Sequence, residues 1–123
     1  MIRSEWMRDH DILVITLDGP LEAADFEQLA KEIDPVIAAR GKLTGLMIYA
    51  TTFPGWRSFG AFASHVRFVA DHHRKIERIA AVTSSNGFMK VAPRIADYFV
   101  QAEVRHFDLD QKDQALAWLE TGR

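Results

Sequence analysis

Few side chains in this sequence can do chemistry. The histidines are His10, His65, His72, His73 and His106. On a helix, His65 and His72 share one face two turns apart, about 10 Å along the axis at roughly 1.5 Å per residue. That is too far for easy joint ligation of one metal, and His73 points elsewhere. No Asp or Glu completes a triad around them, so they read as packed or solvated side chains rather than ligands or acid–base groups. Ser58 sits where a helix N-cap belongs. The unusual stretch is Phe53-Pro54-Gly55-Trp56, bulky or rigid residues in a loop, where polar ones are the rule. Trp56 either folds back as a core plug or stays exposed as a ligand lid, a membrane-touching tip or a contact in a homodimer. Phe59 and Phe62 follow at helical spacing and suit a core stripe with Val66 and Val69, and Phe68 falls off it. Phe53, Trp56, Phe59, Phe62 and Phe88 are the candidates to line an apolar depression. Arg57 and Lys90 are the cations placed to meet an anionic head group.

Other chemistries are missing. No Gly-x-Gly-x-x-Gly follows a strand, and there is no Walker loop, no Gly-x-Ser-x-Gly elbow and no His-Glu-x-x-His. Cysteine is absent, which removes disulfides, zinc ribbons, iron–sulfur clusters and thiol catalysis. The expectation is a non-enzymatic protein without cofactor or metal.

These residues need a scaffold. At 123 residues, 48% hydrophobic and 26% charged, the chain has the composition of one globular domain spanning 1–123. Its start is broken by charges and offers no signal-peptide core. The longest uncharged stretch, 43–56, contains Pro54 and is too short to span a bilayer. A cytoplasmic protein, at most peripheral to a membrane, is expected. Net charge is −2, so no nucleic-acid partner is expected. The charge is uneven, however: residues 1–56 carry −4, residues 57–107 carry +4 and residues 108–123 carry −2. A basic, aromatic middle suits an anionic head group or membrane surface.

Segment 2–8 alternates weakly, Asp9 to Asp11 suits a turn, and Ile12 to Leu17 is β-branched and apolar. Together they predict an N-terminal hairpin. Phe26, Leu29, Ile33 and Ile37 predict a helix from about 22 to Arg40, closed by Gly41, with Pro35 expected to kink or split it. Strand 43–50 follows, with Leu46 to Tyr49 buried on both faces. A helix capped by Ser58 runs to about His73. Then come strand 76–83, a turn at 84–87, a helix over 88–100 containing Pro93, strand 103–107, and a last helix from Asp110 to near Glu120. Strands alternating with helices predict an α/β fold: a mixed, mostly parallel sheet of four to five strands with four main helices. The carboxyl ends of its parallel strands gather on one rim, where such sheets bind ligands.

With Phe53-Pro-Gly-Trp56, His73-Arg-Lys-Ile-Glu-Arg-Ile-Ala80, Ala102-Glu-Val-Arg-His-Phe-Asp108 and Ala115-Leu-Ala-Trp-Leu119, the sequence resembles the SpoIIAA-like family of the STAS superfamily over nearly its whole length. The resemblance implies a STAS-type fold and no enzymatic role. Wider fold relatives include the CRAL-TRIO lipid-carrier domains, which implies a lipid-like or amphipathic ligand. In the STAS antagonists a Ser or Thr at a helix start, typically preceded by Asp, is phosphorylated. The matching position is Ser58, but it stands in Trp56-Arg57-Ser58-Phe59, without the acidic neighbour and with a bulky aromatic after it. Ser58 is therefore expected to cap its helix rather than to work as a regulatory phosphosite. Two functions follow. One is a small binding module for an amphipathic anionic ligand. The other is a STAS-type regulatory domain that meets a protein partner through the Ser58 region.

Overall fold

A computed structural model describes residues 1–9, 11–51, 54–84 and 103–122. Its sheet has five strands: β1 (Ile2–Met7), β2 (Ile12–Leu17), β3 (Leu43–Tyr49), β4 (Ile76–Val82) and β5 (Glu103–Phe107), in spatial order 1-2-3-4-5. β1 runs antiparallel to β2, with Ile2 opposite Leu17 and Met7 opposite Ile12. The turn between them holds Arg8 and Asp9 at φ of 55° and 54°. All other pairings are parallel, and Gly45 of β3 lies between Ile12 of β2 and Arg78 of β4.

The described residues carry three α-helices: α1 (Ala23–Arg40), α2 (Phe59–His72) and α3 (Lys112–Thr121). Short 3-10 turns, His73–Lys75 and Leu109–Gln111, follow α2 and precede α3. The fourth expected helix, over 88–100, lies outside the described residues. Alternation along the strands splits the core in two. Leu13, Ile15, Leu43, Leu46, Ile76 and Ile79 pack against α1 and α2. Ile12, Val14, Met47, Ala80, Val82 and Phe107 meet Ala115, Leu116, Trp118 and Leu119 of α3 on the opposite face. Right-handed crossovers stepping in one direction from β2 to β4 put α1 and α2 on the same face.

Two expectations change here. Pro35 does not split α1, which is one continuous helix. It lies on the exposed face, as does Lys31, so water can serve the carbonyl that loses its donor. Leu46 and Met47 are fully buried, whereas Ile48 and Tyr49 are only partly so, because β3 runs out toward the rim there. Gly41 closes α1 at φ 85°, donating its N–H to the Ile37 carbonyl at 2.7 Å.

Candidate ligand-binding site

The segment between β3 and α2 is tied to the rest of the rim by its backbone. Leu21, just ahead of α1, forms a one-residue parallel bridge with Trp56. The Leu21 N–H donates to the Gly55 carbonyl, and the Arg57 N–H donates to the Leu21 carbonyl, both at 2.8 Å. Gly55 reaches this geometry at φ 84°, where a side chain would be strained. The loops that leave β2 and β3 are thereby joined, and Leu21 is 1% exposed.

This clamp aims Trp56 at α2. The ring is half-buried and packs against the core beneath α1 and α2. Its Nε1–H donates to Nδ1 of His65 at 2.9 Å, and it meets Phe62 edge-on at 4.8 Å. Phe59 stands 6.0 Å from Phe62 and is 82% exposed. Inward from Trp56, His65 stacks on Phe26 of α1 at 4.8 Å and 14°. Phe26 tilts against Phe68 at 6.1 Å, and Phe68 stacks on His72 at 4.2 Å. His72 lies 2.7 Å from the Phe68 carbonyl through Nδ1 and 2.7 Å from Asp34 Oδ1 through Nε2. A column of rings thus runs from solvent at Phe59 to the α1 carboxylate of Asp34, along the seam between two helices.

The column corrects the reading of α2. Its buried residues are Ala61, Phe68, Val69 and His72, with His65 turned the same way. Phe59 points to water instead of joining the core stripe that its spacing predicts. Phe68, placed off the stripe, is core. The helix is apolar on more than one face, so spacing alone leaves its rotation open. The histidines at 65 and 72 carried the missing signal, because with them 61, 65, 68 and 72 form a regular inner stripe. His65 and His72 share a face as expected, but that face is the helix seam and not the surface. Burial pushes the His65 imidazole down to about 4.

Ser58 is exposed, and its Oγ accepts the Ala61 N–H at 3.1 Å while its carbonyl accepts the Phe62 N–H at 3.1 Å. These bonds satisfy donors that a helix start leaves open. Arg57 is exposed, and its Nε pairs with Glu22 Oε1 at 2.7 Å. Trp56, Arg57, Phe59 and Phe62 therefore come together at one end of α2. Phe53, Phe88 and Lys90 lie outside the described residues. Among the described residues no three His, Cys, Asp or Glu side chains gather as a metal site. No described helix is long and apolar enough to cross a membrane.

The profile of the SpoIIAA-like family matches residues 12–120. The chain belongs to the SpoIIAA-like family. Its fold is accordingly that of the STAS superfamily. Among solved structures, it is similar to an uncharacterised protein from Shewanella loihica with a SpoIIAA-like fold. The two are 25% identical with a TM-score of 0.70, over 97% of this chain and 92% of the other. No curated protein matches significantly. The SpoIIAA-like match begins at Ile12, so β1 lies ahead of the matched segment.

Proposed function

We propose that this SpoIIAA-like chain is a non-enzymatic binding domain for an amphipathic, anionic, lipid-like ligand, met at a membrane surface or free. The observation that carries the reading is Phe59, a large apolar side chain 82% exposed at the open end of an aromatic cluster. Among the described residues only Met1 is a comparable exposed hydrophobic. Burying a phenylalanine is worth about 1.5–3 kcal/mol, so leaving it in water is a cost that a ligand would recover. Arg57, Arg67, Arg74 and Lys75 are exposed on or beside α2 and suit an anionic head group. The test is co-sedimentation with vesicles of anionic and of zwitterionic lipid, beside native mass spectrometry after gentle purification. Wild type should bind anionic vesicles or retain a lipid-sized mass. Phe59→Ser should weaken this several-fold while melting as wild type does. Equal binding by Phe59→Ser, or none by wild type in either assay, removes the reading.

The second reading is a STAS-type regulatory domain that meets a protein partner around Ser58 and α2 without a working phosphoserine. The family's fold and the exposure of Ser58 at a helix start favour it. Loss of partner binding on Ser58→Ala, with phosphate detected at Ser58 in cells, would restore the phosphoswitch and reverse this ranking.

A further inference from the structure

The Trp56–His65 contact is an element that a static binding patch does not require. His65 Nδ1 accepts the indole N–H at 2.9 Å, so the ring is neutral and carries its proton on Nε2. The same ring is stacked on Phe26. His65 thus ties together the rim segment, α2 and α1. We propose that His65 is a proton-operated latch: when Nδ1 takes up a proton it can no longer accept the indole N–H, and Trp56 and the first turns of α2 come away from α1.

A protonated Nδ1 is a donor facing another donor, which turns an attractive contact into a repulsive one. It also places a charge in the helix seam, where water is largely excluded. Among the described residues, Phe26 from α1 and Trp56 from the rim segment pack on His65. Of the charges those elements bring, Glu27 and Lys31 are exposed, and those nearest the rim are engaged. Glu22 pairs with Arg57 at 2.7 Å, and Asp25 pairs with the terminal amine at 3.5 Å. On α2 itself, Arg67 and Asp71 are exposed, and His72 is held by Asp34 at the far end of the helix. Burial holds the imidazole at about 4, a preference of roughly 300-fold for the neutral ring over a free histidine. The backbone clamp between Leu21 and Trp56 uses no titratable group. Acid therefore frees the indole and α2 before it frees the loop. As control of the Phe59–Trp56 patch, the latch rests on the binding reading above. Its test contains no lipid, so latch and ligand can fail separately.

The test follows the indole N–H resonances by nitrogen–proton NMR from pH 7 to pH 3.5. The Trp56 signal is the one that disappears in Trp56→Phe. It should move with a midpoint near pH 4, together with the His65 ring protons, and stay still in His65→Gln. A Trp56 signal that stays in place while the fold persists, or that moves equally in His65→Gln, overturns the latch. If the wild type unfolds before that midpoint, urea denaturation at pH 7 and pH 5 decides. Relative to His65→Gln, the wild-type folding equilibrium should fall roughly 20-fold over that interval. A constant ratio between the two proteins overturns the proposal.

Discussion

Trp56 bears two loads that substitution separates. Its ring fills space between α2 and the rim, and its N–H satisfies His65. Trp56→Phe keeps most of the packing and leaves Nδ1 without its donor, so it should cost about 1 kcal/mol. Trp56→Ala also opens a cavity and should cost about 3 kcal/mol. Urea denaturation at neutral pH reads both, and near-equal costs would mean the ring fills little. His65 adds a pH dependence with a fixed sign. Its folded value of about 4 lies below that of an unfolded histidine. The unfolded chain therefore binds the extra proton between about pH 6.5 and pH 4. Its contribution, about 3 kcal/mol, is present in full above that window and is lost as pH falls through it. The Phe53–Trp56 stretch was legible as unusual from residue types alone. The role of His65 was not, because a histidine in isolation gives no sign of whether water or an indole faces it.

Among elements, α2 is the instructive one. Its existence and its Ser58 start were legible, since a capping residue followed by apolar spacing has a local cause. Its rotation was not legible, since Phe62 and Val66 on one side and Ala61, Phe68 and Val69 on the other offer two apolar faces. Among the described residues, α1 selects between them through Phe26 and Asp34, with Trp56 holding His65 from the rim. At the C-terminal end of α2 the selection rests on His72, 7% exposed, against Asp34. Asp34→Ala removes one partner of a buried ring nitrogen and should cost about 1–2 kcal/mol, read by thermal melting. On the other face, α3 crosses β3 at Gly45, where an added Cβ would lie 3.0 Å from Leu119 Cβ and 3.4 Å from Ile12. Gly45→Ala should destabilise by about 1–2 kcal/mol through overcrowding. An unchanged melting temperature would mean α3 moves off freely.

For the whole molecule, the alternation of strand and helix was enough to give a mixed, mostly parallel sheet, because crossover rules leave few ways to arrange it. The antiparallel edge β1 was the weakest pattern in the sequence, with Arg3, Ser4 and Glu5 all exposed. It is settled by pairing with β2 and not by its own composition. The charge asymmetry was equally visible, but sequence could not say that Arg57 would meet Glu22 across the joined loops. If the basic middle contributes to vesicle binding, raising salt from 0.05 M to 0.5 M should weaken it, as screening shortens from above to below about 10 Å. Arg67→Glu should do the same at constant salt. Binding that ignores both would leave Phe59 and its apolar neighbours as the whole attraction.

The bridge between Leu21 and Trp56 has a consequence for digestion. Arg57 is an exposed arginine in a connecting segment, a site where trypsin ordinarily cuts. To do so the protease must draw several residues on both sides into an extended strand in its cleft. Here the Arg57 N–H is held by Leu21, and the next residue is bound into the first turn of α2. The peptide bond after Arg57 should therefore survive brief native digestion, with intact chain spanning 57–58 seen by mass spectrometry. Trp56→Ala, by freeing the segment, should expose it to rapid cutting.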